Sequence, residues 1–193
     1  LQGELGGSGP LLNNGRMLAS GTISGSSGFT NNAFFEQSGD LTISNSGLTI
    51  NNMVADLGRS FLNLTGGNFE NRGTLTMDDT IVNGSAQLIN RAGASLNGDG
   101  IINTAFANEG RLVVSGRLAV NTGFTNTGII EMAAAGASFM GSEVTNTGTI
   151  HGHGQIRDKG ILAFPGPVGY DRRVAGLPGH FNGVQGFGDR ADL

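Results

Sequence analysis

The sequence predicts an all-β fold: a parallel β-helix (β-solenoid) of about eight to nine coils, 18–20 residues per coil, with a non-repetitive C-terminal tail. Three observations carry this reading. An asparagine recurs at Asn13, Asn31, Asn51, Asn71, Asn90, Asn108, Asn126 and Asn146, in steps of 18, 20, 20, 19, 18, 18 and 20 residues. The residues after each asparagine alternate apolar and polar with period two, as in a strand with one wet face. Helical periodicity is absent, and Gly/Ser clusters fall where a coil must turn.

The repeat frame is an apolar residue, any residue, Asn, any residue, Gly or Ala, then an alternating strand. Its clearest copies are Phe69-Glu70-Asn71-Arg72-Gly73-Thr74-Leu75, Phe106-Ala107-Asn108-Glu109-Gly110-Arg111-Leu112 and Phe124-Thr125-Asn126-Thr127-Gly128-Ile129-Ile130. A unit this short cannot bury a core alone, so neighbouring units must stack.

Four residues past each asparagine stand Met17, Phe35, Ala55, Leu75, Ala94, Leu112, Ile130 and Ile150, an inward position. Two further on stand Ala19, Gln37, Leu57, Met77, Leu96, Val114, Met132 and Gly152, mostly apolar. The residues between, Leu18, Glu36, Asp56, Thr76, Ser95, Val113, Glu131 and His151, belong to the outer face. Ten residues past the asparagine a second apolar site reads Ile23, Leu41, Phe61, Ile81, Leu118 and Ile156, with Ile101 one step late and no clear match after Asn126. Each coil therefore has at least two strands. Corners are expected at Ser24-Gly25-Ser26-Ser27-Gly28, Thr65-Gly66-Gly67 and Ser115-Gly116.

The recurrent asparagines read as a structural ladder. A buried amide left unpaired costs about 1–3 kcal/mol, but in a stack each amide can donate to the carbonyl of the next layer, as asparagine ladders do in cross-β assemblies. Phe29, Phe69, Phe106 and Phe124, two residues before their asparagines, read as a second, apolar column in the core.

The repeat occupies one body, residues 1–164, and residues 165–193 form a Gly/Pro-rich tail. The chain of 193 residues has 35 Gly and 37% apolar residues, and that apolar content, ordered by a period, argues against disorder. A formal charge of −4 without basic clusters argues against a nucleic-acid partner. No apolar run is long enough to span a membrane. With no cysteine, a disulfide framework and thiolate chemistry are excluded, whereas secretion is not. The chain starts within the pattern, with no signal peptide at Leu1, as expected of a mature or trimmed product.

Leu5 falls at the second apolar site of a preceding coil, so the chain enters the solenoid mid-coil with no amphipathic helix over the end. Residues Ile156-Arg157-Asp158-Lys159-Gly160-Ile161-Leu162-Ala163-Phe164 repeat the frame with Asp in place of Asn, which predicts a shortened last coil. Beyond it, Tyr170, Phe181 and Phe187 give the tail an apolar content that suits an arm packing on a neighbour better than a linker. An uncovered solenoid end is a template for another chain, and contact between unlike ends does not close, so it generates a filament. Leu5, Ile161, Leu162, Phe164, Tyr170, Phe181 and Phe187 are the expected assembly interface.

The phrases Phe124-Thr125-Asn126-Thr127-Gly128-Ile129-Ile130 and Val144-Thr145-Asn146-Thr147-Gly148-Thr149-Ile150-His151-Gly152-His153-Gly154-Gln155-Ile156 resemble the repeats of bacterial filamentous-haemagglutinin and autotransporter-passenger proteins. That resemblance covers about residues 5 to 164 and implies a right-handed parallel β-helix exported to the cell surface. The chain departs from those families in having no recognisable secretion domain or membrane barrel.

Other chemistry has thin support. Glu36 and Asp56 occupy the same outward position on neighbouring coils, about 5 Å apart, with Asp78 near them, a spacing that would suit a carboxylate pair of a carbohydrate-active enzyme. No basic or aromatic sugar platform accompanies them, and a solvated face is the simpler account. His151 and His153 alternate outward but have no third ligand, so no metal and no cofactor is expected. Asn97-Gly98-Asp99-Gly100 resembles a calcium-binding β-roll turn but occurs once. The row three past the asparagine, Arg16, Phe34, Val54, Thr74, Gly93, Arg111, Ile129 and Thr149, is too irregular for an ice-binding face. The sequence thus points to a non-enzymatic, self-associating subunit of an extracellular or cell-surface fibre. An adhesin segment binding a glycan or host surface is the alternative.

Overall fold

A computed structural model describes residues 2–158, with the side chain of Asp158 left aside. The boundary expected at residue 164, and Ile161, Leu162, Phe164, Tyr170, Phe181 and Phe187, lie outside the described residues.

In chain order the strands are β1 (Gln2–Gly7), β2 (Leu11–Asn13), β3 (Arg16–Gly25), β4 (Phe29–Asn31), β5 (Phe34–Ile43), β6 (Thr49–Asn51), β7 (Val54–Leu57), β8 (Phe61–Leu64) and β9 (Phe69–Asn71). They continue as β10 (Thr74–Gly84), β11 (Leu88–Asn90), β12 (Ser95–Ile102), β13 (Phe106–Asn108), β14 (Arg111–Val120), β15 (Phe124–Asn126), β16 (Ile129–Gly141), β17 (Val144–Asn146) and β18 (Thr149–Asp158). All pairings are parallel. The long strands make one sheet in the order β1-β3-β5-β7-β10-β12-β14-β16-β18, with β8 between β5 and β10, and the three-residue strands make a second sheet from β2 to β17. The described residues are a β-solenoid of about eight turns, without helix, in which each coil contributes one short strand and one long or broken strand.

The short sheet keeps the sequence frame without slippage. Asn13, Asn31, Asn51, Asn71, Asn90, Asn108, Asn126 and Asn146 are partners in register from coil to coil. Two residues earlier, Leu11, Phe29, Thr49, Phe69, Leu88, Phe106, Phe124 and Val144 form the apolar column beside them. Phe106 and Phe124 have ring centroids 5.2 Å apart, a tilted contact of the kind aromatic pairs favour. Thr49 is the polar member of that column. It is 1% exposed and donates its hydroxyl to Asn45 Oδ1 at 3.0 Å, which satisfies it without water.

The long sheet adds two inward columns on its first half. One is Met17, Phe35, Ala55, Leu75, Leu96, Leu112, Ile130 and Ile150; the other is Ala19, Gln37, Leu57, Met77, Gly98, Val114, Met132 and Gly152. This corrects the expected frame in the coil that follows Asn90. Leu96, not Ala94, is the partner of Leu75, and Asn97 and Ser95 take the places expected for Ser95 and Gly93. Two extra residues are absorbed in a turn closed by Ala94 N–H on Arg91 C=O at 2.9 Å, with Gly93 at φ 83°.

The second apolar site is not one column. Leu62, Val82 and Ile102 point inward and are at most 1% exposed, whereas Phe61, Ile81 and Ile101, expected inward, face out. Phe61 follows the break between β7 and β8, and Ile81 follows a one-residue surplus between Met77 and Thr80 that turns the rest of β10 to the other face. In β12 the alternation is unbroken from Ser95 to Ile102, so Ile102 continues the inward set of Leu96, Gly98 and Gly100 and Ile101 faces out. The member missing after Asn126 is Phe139, fully buried and partner of Leu118, displaced because Met132 to Ser138 spans three residues more than Val114 to Arg117.

The expected short last coil is also corrected. Ile156 pairs with Phe139, Arg157 with Met140 and Asp158 with Gly141, so this segment completes the coil begun at Asn146 and Asp158 is not a rung of the ladder.

Candidate functional site

Two features of the described body bear on what it can do: the polar columns along its sides and the sheet edges at its ends. The central ladder is continuous. The side-chain amide of Asn13 donates to Asn31 Oδ1 at 2.7 Å, Asn31 to Asn51, Asn51 to Asn71, Asn71 to Asn90 and Asn90 to Asn108 each at 2.8 Å, Asn108 to Asn126 at 2.6 Å and Asn126 to Asn146 at 2.5 Å. Each amide from Asn13 to Asn108 also donates to a backbone carbonyl at the start of the next long strand, such as Phe34 at 2.9 Å and Thr74 at 2.9 Å. The rungs from Asn71 to Asn146 are 0% exposed. Every amide points the same way, each rung giving to the next coil, and at Asn13 the side-chain oxygen accepts the Gly15 backbone N–H at 3.3 Å.

Two further asparagine ladders run outside the core, and sequence reading missed them. Asn32 donates to Asn14 at 3.0 Å and Asn52 to Asn32 at 2.9 Å; at another corner Asn103 donates to Asn83 at 2.8 Å and Asn121 to Asn103 at 2.7 Å. The signal was available, since the first set directly follows the recurrent asparagine.

Where that first outer column changes residue type it becomes ionic. Arg72 and Arg91 follow Asn71 and Asn90, and both reach Glu70, a carboxylate only 6% exposed that accepts at 2.7 Å from Arg72 and 2.5 Å from Arg91. Arg91 also meets Glu109 on the next coil at 2.9 Å. The Arg91 hydrogen bond, helped by Arg72 and opposed by burial, holds the Glu70 carboxyl below its ordinary value of 4.5. Its neighbours raise Arg91 correspondingly, chiefly through the Glu70 hydrogen bond. This group ties three coils together.

Glu36 and Asp56 are register partners on the outer face, where the sequence places them. Glu36 accepts from Arg16 at 3.0 Å, and the Arg16 guanidinium stands 5.6 Å from the centre of the Phe34 ring. Asp78 lies beyond the first half of its strand and faces Arg59 at 3.5 Å. His151 pairs in register with Glu131, and both His151 and His153 are exposed. Among the described residues no group of three His, Asp or Glu is placed to hold a metal ion. Asn97-Gly98-Asp99-Gly100 forms the strand irregularity of its coil, where Asp99 Oδ1 accepts the Asp79 backbone N–H at 2.9 Å.

Among the described residues, β1 pairs only with β3 and β2 only with β4, while β17 and β18 lie at the opposite edges. Leu5, partner of the fully buried Ile23, remains partly exposed on β1. No helix among the described residues is long and apolar enough to cross a membrane.

In comparisons with protein-family models, with curated proteins and with solved structures, nothing matches the chain.

Proposed function

We propose that this protein is a structural subunit of an extracellular or cell-surface fibre, built by head-to-tail stacking of β-solenoid ends. The observation that carries this reading is the uniform, one-directional stack. The rungs from Asn13 to Asn146 keep one register and donate in one direction from coil to coil. A further coil of the same pattern, laid on either edge of the described body, would continue the same bonds. A second copy presents such coils. Contact between unlike ends repeats without closing and so yields a filament. The repeat phrases that resemble surface-exported bacterial β-helices agree with an extracellular setting.

Electron microscopy of the concentrated full chain tests the proposal, with Leu5→Lys beside it. The expected result is filaments from the parent and isolated rods from Leu5→Lys, the rods retaining the parent's strand signal in circular dichroism. Monodisperse rods from the parent at high concentration overturn the fibre reading.

A further inference from the structure

Among the described residues Phe61 is the one exposed phenylalanine, at 44%, and neither the core nor the stacking of coils accounts for it. It stands on β8, where Leu62 and Leu64 turn inward at 1% exposure, so the alternation of the strand puts Phe61 and Asn63 on the outer face about 7 Å apart. The exposed Thr65 follows directly after the strand and continues the outward set. The register partners of Asn63 on the coils to either side are Thr42 and Asn83. Asp40 Oδ1 accepts the Phe61 backbone N–H at 3.0 Å, which fixes the chain beneath the ring. Asn83, Asn103 and Asn121 at the same corner bond to one another, whereas the half-buried Asn63 side chain makes no hydrogen bond to any described residue.

We propose that Asn63 is the acceptor of an asparagine-linked glycan whose first sugar packs on the Phe61 ring. Three observations carry this. First, Asn63-Leu64-Thr65 has the Asn-X-Ser/Thr form of an asparagine-glycosylation acceptor. Asn83-Gly84-Ser85, one coil on, is the other triplet of that form in the chain. Second, the Asn63 amide is committed to no bond within the described body, so a sugar on its nitrogen displaces nothing. Third, a residue two before the acceptor on a strand shares its face. A sugar ring on Asn63 Nδ2 therefore has the Phe61 ring within reach, and its C–H face covers apolar surface that otherwise meets water. Asn83 lacks the second and third features: its side-chain oxygen accepts the Asn103 amide at 2.8 Å, and Ile81 stands two before it.

The step is a glycosyl transfer from a phosphate-activated sugar. The bond from sugar C1 to the phosphate oxygen breaks with its electron pair leaving on phosphate, the C1–Nδ2 bond forms, and the amide gives up one proton. A strand paired on both edges cannot enter a transferase, so transfer precedes the pairing of β8 with β5 and β10. The inference rests on the extracellular setting in the proposed function, because such acceptors belong to secreted chains. A glycan at Asn63 lies on a side wall, clear of the stacking direction.

The two acceptor triplets fall in different tryptic peptides, residues 60–72 and 73–91. Mass spectrometry of the full chain from the cells that produce it is expected to find the glycan on 60–72, with 73–91 bare. Made in the same cells, Asn63→Gln and Thr65→Ala are expected to lose it and Thr65→Ser to keep it, a readout that does not depend on folding. A bare 60–72 peptide, or a glycan confined to 73–91, overturns the proposal. For the Phe61 contact, the glycosylated parent is expected to unfold in urea about threefold more slowly than Asn63→Gln, an advantage that disappears when both carry Phe61→Ala. The same advantage with and without the ring overturns that contact. Electron microscopy of the same samples separates this inference from the fibre reading: filaments of a protein bare at Asn63 overturn this inference alone, and isolated rods glycosylated at Asn63 overturn the fibre alone.

Discussion

Asn71 and Asn90 stand one coil apart with the amide of the first 2.8 Å from the side-chain oxygen of the second, both at 0% exposure. Asn71 also donates to the Ser95 carbonyl at 2.9 Å and receives the Asn51 amide at 2.8 Å. Replacing it with alanine removes a partner from polar groups on the coils on both sides of it. Asn71→Ala is expected to lower stability by about 2–4 kcal/mol, and Asn13→Ala, at the end of the column, by about 1 kcal/mol. Urea midpoints of the two variants check the ordering; equal losses would mean that the ladder does not act as a chain of mutually dependent bonds.

Acid should reveal the ion cluster around Glu70. Its folded-state carboxyl lies below 4.5, so its contribution is fully present above pH 4.5 and is lost as pH falls through the folded-state value. Glu70→Gln is expected to cost about 1–3 kcal/mol at pH 7. It is also expected to flatten the fall in stability below pH 4.5. Urea titrations of parent and variant between pH 7 and pH 3 measure both effects, and parallel curves would show that Glu70 is not a source of the acid sensitivity.

Close backbone approach predicts a third contrast. A Cβ on Gly128 would lie 2.0 Å from the Gly110 carbonyl oxygen, whereas one on Gly136 would meet nothing within 4 Å. Gly128→Ala is expected to cost about 1–3 kcal/mol by forcing two coils apart beside the ladder. Gly136→Ala should stay within about 0.5 kcal/mol. Thermal or urea unfolding of the pair decides, and a neutral Gly128→Ala would mean that coil spacing there can relax.

The frame around each asparagine was legible because nothing interrupts it: three-residue strands with side chains at fixed positions keep one register through eight rungs. The inward position four residues on was legible wherever the intervening corner has constant length, and failed only after Asn90, where a turn adds two residues. The second apolar site was misread at Phe61, Ile81 and Ile101 for a physical reason. Leu62, Val82 and Ile102 follow directly, so an inward and an outward apolar residue are adjacent, and hydropathy cannot rank them. Phe139 was missed because the extra residues ahead of it displace it from the expected spacing. The ionic group at Glu70 was invisible to a search for repeated features, since it exists where the repeat changes composition.

The register slips along the long sheet have a further meaning for how such a molecule can vary. Steps of 18, 19 and 20 residues coexist without tilting the ladder, because much of the surplus is taken up in one wall and at corners while the asparagine rungs stay aligned. The chain thus separates the part that sets its pitch from the part that sets its contour. Residues can be gained or lost near Ala133 to Gly136 with the layers above and below still in step. A rod made this way can carry differently shaped flanks on one unchanging spine.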